Sequence, residues 1–281
     1  MFKHILVAID FSPAWPVLKE RLDCIREWGV EKVTLAYVMS SRYPASPEEG
    51  HRENYEKRLA EEAAGLRKMG YSVDFDIRSG EPGARLVEAA QGHGADVMLI
   101  GSRSVGAIHS FFMGSTALDV LRLATLPVWM EPVGFECEEC MDVILLATDG
   151  SEAVRNAERM FADLSGHFDK KIALSVVADD GIGETESKQA GAHLKRLAGR
   201  VDGLDFRVVE GDPNKLVAET AREVSADLTV IGKRGRNPMA DLLLGSTAEA
   251  VTRRARRPVL MVPGDKRSGE YDNGDRTRSD E

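Results

Sequence analysis

Residues 226–262 read ADLTVIGKRGRNPMADLLLGSTAEAVTRRARRPVLMV, and residues 95–130 read ADVMLIGSRSVGAIHSFFMGSTALDVLRLATLPVWM. The two stretches are versions of one pattern. A short apolar run ends in Ile-Gly, a loop follows, Gly-Ser-Thr-Ala opens a helical segment, and Pro-Val starts a second apolar run. Extended backwards, residues 79–130 align without a gap to 210–261, with 19 of 52 positions identical. The starts of the halves match too: Ile5-Leu6-Val7-Ala8-Ile9-Asp10 mirrors Ile144-Leu145-Leu146-Ala147-Thr148-Asp149. A period of this kind marks a duplicated domain. The sequence divides into domain 1 at 1–134, a linker at 135–140, domain 2 at 141–264, and a polar, charged tail at 265–281 that reads as disordered.

Each half alternates buried-strand and helix signals. In the first half, apolar runs lie near 4–9, 33–38, 73–77, 96–100 and 127–130, with helical spacing near 14–28, 48–69, 82–92 and 115–124. In the second half the runs lie near 143–148, 171–177, 205–209, 227–231 and 258–262. Strand–helix alternation predicts an α/β fold, here two tandem doubly wound domains, each a five-stranded parallel sheet with helices on both faces. Pro127 and Pro258 open the last strands, where a missing N–H is tolerated.

Ligands of open α/β sheets bind beyond the carboxyl ends of the strands. There the second half has Gly232-Lys233-Arg234-Gly235, nine residues, then Gly245-Ser246-Thr247: the spacing G-x2-G-x9-G-S. Gly232 and Gly235 are expected to supply backbone angles closed to other residues and a close approach to a ligand. Gly245 and Ser246 begin a helix whose free N–H groups and dipole suit an anion. Asp149 closes the first strand within Thr148-Asp149-Gly150-Ser151.

These features resemble the universal stress protein family, over about 260 residues. The spacing matches that family's ATP-binding motif at every fixed position in the second half. Asp149 matches the family's nucleotide-contacting Asp, and Val177, ending the second strand, falls where the family makes a backbone contact to adenine. The resemblance implies an adenine-nucleotide α-hydrolase-like fold, with ATP (or AMP or ADP, with or without Mg2+) held by Asp149, Gly150, Ser151, Val177, Gly232, Arg234, Gly235, Gly245, Ser246 and Thr247. It also implies final strands at the sheet edges. Val128 to Met130 and Val259 to Val262 are expected to pair antiparallel about a pseudo-twofold, since a duplicated domain inherits a self-complementary contact.

The first half departs from the pattern. Its loop reads Gly101-Ser102-Arg103-Ser104, and Phe11 stands where the other half has Gly150. A side chain at 104 crowds the phosphate position, and Phe11 is expected to fill part of a pocket. Asp10, Val38, Gly101, Gly114 and Ser115 form a degenerate second site.

The function expected is a stress-response switch, acting on a regulatory protein partner when nucleotide binds. The alternatives are a slow ATPase or phosphotransferase, and a ligand-free assembly module. No general base or arginine finger can be placed, which argues against an enzyme. Composition excludes other classes. A net charge of −9 disfavours nucleic acid, and Arg253 to Arg257 close a helix, where cations suit the dipole. No stretch reaches the roughly 18 apolar residues of a membrane span, and no signal peptide is evident, so a cytoplasmic protein is expected. Three cysteines disfavour a disulfide framework. Cys137-Glu138-Glu139-Cys140 is half of a zinc or redox site, which two linkers of a homodimer would complete. Gly181-Ile182-Gly183 lacks the third glycine of a dinucleotide loop.

Overall fold

A computed structural model of the chain describes residues 1–40, 48–102, 114–134, 141–178, 183–235 and 244–264. The first half contains β1 (His4–Ala8), α1 (Ala14–Cys24), β2 (Lys32–Ser40), α2 (Glu48–Lys68), β3 (Ser72–Gly80), α3 (Pro82–His93), β4 (Val97–Ser102), α4 (Ser115–Leu123) and β5 (Val128–Pro132). The second contains β6 (Val143–Ala147), α5 (Arg155–Leu164), β7 (Lys170–Val177), α6 (Gly183–Ala198), β8 (Leu204–Glu210), α7 (Pro213–Glu223), β9 (Leu228–Gly232), α8 (Ser246–Arg254) and β10 (Val259–Val262).

The strands form one ten-stranded sheet in the order β3-β2-β1-β4-β5-β10-β9-β6-β7-β8. Within each half all pairings are parallel. The halves join where β5 meets β10 antiparallel, with Met130 opposite Val259, Trp129 opposite Leu260 and Val128 opposite Met261. This is the edge pairing expected from the repeat. It gives each apolar final strand a partner for backbone groups that would otherwise be left unpaired.

Burial follows position in the sheet. Central β6 and β9 are buried at every residue, and both are continuous apolar runs or nearly so. The outermost strands β3 and β8 carry charged, exposed residues, and β8 buries only Leu204. Successive side chains point to opposite faces, so two cores form. One gathers Ile5, Trp129, Ile144 and Leu260 under α1, α2, α5 and α6. The other gathers Leu6, Val128, Leu145 and Met261 under α3, α4, α7 and α8. Both cores run through the junction, so the halves share their apolar interior.

The junction also holds a buried ion pair. Arg21 Nε donates to Glu131 Oε1 at 2.5 Å, and Trp129 Nε1 donates to the same oxygen at 2.7 Å. Burial pushes the Glu131 carboxyl above the usual carboxylate range, against the opposing pull of Arg21. Trp28 packs on Trp129 and crosses to the second half, where it stacks on His167.

Cys24 is disulfide-bonded, which goes against the expectation that three cysteines disfavour disulfides. Cys137, Cys140 and the rest of the linker 135–140 lie outside the described residues, as do Ser104, Gly181 and the tail 265–281. Among the described residues, no helix is long and apolar enough to cross a membrane.

Candidate functional site

In the second half, the connections after β6 and β9 leave the sheet in opposite directions. The chain passes from β6 to α5 on one face and from β9 to α8 on the other. A crevice opens at that switch point, beyond the carboxyl ends of the strands. It is a cleft of about 270 Å³. Its floor is Ala147, Leu174, Val176 and Ile231, and α7 adds Pro213 and Val217 as a side wall. Asp149, Gly232 to Gly235, and Gly245 to Ala248 line its mouth.

The turn after β6 is built by local hydrogen bonds. Ser151 N donates to Asp149 Oδ1 at 2.9 Å, and Gly150 N donates to Thr148 Oγ1 at 3.0 Å. Gly150 has φ 69°, a left-handed conformation that glycine adopts without a Cβ penalty. Behind the turn, Thr148 Oγ1 donates to Glu158 Oε1 at 2.5 Å, and His193 Nε2 lies 2.7 Å from the same oxygen. Gly150 and Ser151 therefore shape the turn that presents Asp149 and do not themselves line the cleft.

The glycines of the loop are required for a different reason from the one expected. None of Gly232, Gly235 and Gly245 has a positive φ. Each stands where a Cβ would crowd a neighbour. A Cβ on Gly232 would lie 2.7 Å from Val154 Cγ1, one on Gly235 2.7 Å from Asp149 Oδ2, and one on Gly245 3.1 Å from the Lys233 carbonyl oxygen. The motif packs the two loops and the helix start against one another.

Gly245 is the N-cap of α8, with extended backbone and no side-chain cap. Its own N–H donates to Lys233 O at 3.0 Å. The next N–H groups, of Ser246, Thr247 and Ala248, begin a helix and have no intrahelical acceptor. They face the cleft with the positive end of the helix dipole. The Lys233 side chain turns away from them. Its Nζ donates to the carbonyls of Arg122 at 2.5 Å and Ala124 at 2.8 Å, at the end of α4 in the first half. Burial, and then neighbouring Arg234, pull its pKa down to about 8.

Seven of the residues singled out from the sequence thus meet at one cleft: Asp149, Gly232, Arg234, Gly235, Gly245, Ser246 and Thr247. Val177 does not line it. The carbonyl of Val177 accepts from Gly211 N at 2.9 Å, and the neighbouring Val176 supplies the wall. Sequence reasoning missed Leu174, Val176, Pro213 and Val217. The signal available was the two-residue period of a strand, which puts Leu174 and Val176 on one face.

The first half keeps much of this layout. Ser12 N donates to Asp10 Oδ1 at 3.0 Å, as Ser151 N does to Asp149. Gly114 caps α4 with extended backbone, as Gly245 caps α8, so Ser115 occupies the helix start that Ser246 has in the other half. A Cβ on Gly101 would lie 2.5 Å from Ala14 Cβ. Strand register makes Val38 the counterpart of Val176, because Ile5 pairs with Val33 and Ile144 with Lys171. The Phe11 ring packs against the core that contains Trp15 and Leu59. Phe11 takes the left-handed conformation of Gly150, with φ 56°. Its ring packs on Tyr37, and the Arg58 guanidinium lies 3.8 Å from the ring centroid. Phe11 and Tyr37 belong to the core under α1 and α2, whereas Val38 packs on the opposite core.

Comparison with known proteins agrees with this architecture. The sequence model of the universal stress protein family matches residues 1–132 and again 141–263. A universal stress protein of Mycolicibacterium smegmatis is 30% identical over 210 residues, covering 69% of each chain. One of Methanocaldococcus jannaschii is 27% identical over 141 residues, covering 44% of this chain and 83% of its own. Among solved structures, a universal stress protein of Archaeoglobus fulgidus superposes with a TM-score of 0.78 at 21% identity, covering 94% of this chain and 99% of its own, which speaks to the fold.

Proposed function

Since the chain belongs to the universal stress protein family, a stress-response family, and carries two copies of its domain, we propose that its second half binds an adenine nucleotide and acts as a nucleotide-dependent switch. ATP is the first choice of ligand, with AMP and ADP as alternatives. The observation that carries this reading is the convergence of Asp149, Gly235 and the Gly245-Ser246-Thr247 helix start on one cleft. Leu174, Val176, Pro213 and Val217 offer an apolar slot for a flat base. The family resemblance puts the adenine contact at Val177, but in this cleft the neighbouring Val176 supplies the strand-end wall.

Size supports a division of the ligand. About 270 Å³ lies just below the roughly 300–1,000 Å³ of small-molecule sites. Base and sugar fill such a space, and the phosphates extend to the start of α8, where backbone N–H groups and the helix dipole favour anions. Asp149 is the carboxylate at the mouth that Mg2+ travelling with ATP would meet. Among the described residues no cluster of three acidic, His or Cys side chains could hold a metal by itself. The metal therefore fits as a passenger of the nucleotide.

The alternative of a slow ATPase predicts turnover, which the switch does not need. Mass identification of the small molecule retained by the purified chain, with calorimetric titration of ATP, AMP and ADP, tests the reading. An adenine nucleotide retained or bound with micromolar affinity supports it. No retained nucleotide and no heat of binding at millimolar concentration overturns it. Steady-state turnover above about 1 s⁻¹, the low end of typical enzymes, transfers the reading to catalysis.

A further inference from the structure

Lys233 lies at the centre of the glycine loop and is 5% exposed. Three of its groups are committed to three different elements. Its backbone N–H donates to Val262 O at 2.8 Å, in β10. Its carbonyl accepts from Gly245 N at 3.0 Å, the residue that starts α8. Its Nζ crosses the junction and donates to Arg122 O and Ala124 O at the carboxyl end of α4. An ammonium at that end of a helix is held by unsatisfied carbonyls and by the dipole. A second contact runs alongside, with Arg122 Nη2 of α4 lying 3.8 Å from Glu249 Oε2 of α8.

The tie runs one way. The repeat puts Ser102 where the second half has Lys233, and Ser102 is fully buried. Its hydroxyl is too short to cross, and it makes no hydrogen bond among the described residues. Among the described residues, the first half therefore shows no counterpart of the link.

We propose that Lys233 is a positioning residue: by seating its ammonium on α4 it fixes the loop and the start of α8, so that occupancy of the second-half cleft and the order of α4 in the first half are linked. The physical route is short. A ligand on the Gly232–Gly235 loop and on α8 holds Lys233 in place, and Lys233 holds the last turn of α4. By reciprocity, loosening α4 weakens the ligand. This rests on the proposed nucleotide site.

The test is amide hydrogen exchange of the full chain, with and without ATP, on the wild type and on Lys233→Met and Lys233→Arg, each first shown to melt cooperatively. In the wild type, ATP should slow exchange in the peptides covering 115–124 as well as in those covering 244–248. Lys233→Met should lose the slowing at 115–124 and bind ATP about tenfold more weakly, the scale of one charge-assisted hydrogen bond. Lys233→Arg, which keeps a cation of similar reach, should restore part of both. ATP binding that leaves 115–124 unchanged in the wild type overturns the link and leaves the site standing. So does a Lys233→Met chain that still shows the slowing. Absence of ATP binding in the wild type overturns the nucleotide site and the link together.

Discussion

A Cβ on Gly235 would stand 2.7 Å from Oδ2 of Asp149, so the loop after β9 and the carboxylate closing β6 touch across the mouth of the cleft. The space between them is set by the absence of a side chain. Gly235→Val and Gly245→Val each place bulk against a close neighbour, the Asp149 carboxylate in one case and the Lys233 carbonyl in the other. Each should cost at least about tenfold in ATP affinity, or about 1.4 kcal/mol. Far-ultraviolet circular dichroism should remain that of the wild type. Undiminished binding in both variants, measured by calorimetry, would mean the site is elsewhere.

Gly150 tests the turn rather than the ligand. Its φ of 69° disfavours any L side chain, and a Cβ there would lie 3.1 Å from the His193 ring. Gly150→Ala should destabilise the protein by about 1–2 kcal/mol in urea unfolding. Phe11 accepts the same backbone strain in the first half and offsets it with its ring contacts to Tyr37 and Arg58. Phe11→Ala, which keeps the strain and removes the ring, should also destabilise. A neutral outcome for both substitutions would show that neither turn is held as described.

The Arg21–Glu131 pair is buried on both sides, at 3% and 1% exposure. Arg21→Met should cost about 3–5 kcal/mol, because it strands a buried carboxylate. Adding Glu131→Met should recover part of that loss, less the cost of leaving the buried Trp129 Nε1 without its acceptor. Chemical denaturation of the single and double variants checks both. A single variant within about 0.5 kcal/mol of the wild type would contradict the assignment.

Lys233 gives a pH signature. Its folded pKa near 8 lies below the ordinary 10.5. Between those values the unfolded chain binds more protons than the folded one, so stability rises with pH in that window. Below about pH 8 the cost of burying the charge is carried in full. Relative to Lys233→Met, the wild type should therefore gain about 1–3 kcal/mol as pH rises from about 8 to 10.5. A difference that stays flat over that range would show that the ammonium is not desolvated.

Much of this was legible in the residues, and the reasons are particular. The duplication exposed the fold, because two noisy strand–helix patterns in register reinforce each other. The pairing of Val128 to Met130 with Val259 to Met261 was legible because the family resemblance puts both apolar strands at sheet edges, where an uncovered apolar edge is costly. The polar rim of the cleft was legible because glycine, serine and aspartate keep a fixed spacing. Its apolar floor was not, since Leu174 and Val176 look like any buried strand residues until the sheet assigns their face. The cause of the glycines was also hidden: Val154 and Asp149, which a Cβ would crowd, lie far from the loop in sequence. Phe11 looked like a plug for the cleft because sequence places it beside Asp10, but its ring packs on the other core.

The central claim is that adenine nucleotide occupies the second-half cleft. Photolabelling of the full chain with 8-azido-ATP, followed by peptide mapping, tests it most directly. The account expects label on peptides covering Leu174 to Val177 or Pro213 to Val217, removed by excess ATP and lost in Gly245→Val. Label confined to the first half, or label on those peptides that excess ATP does not displace, would contradict it.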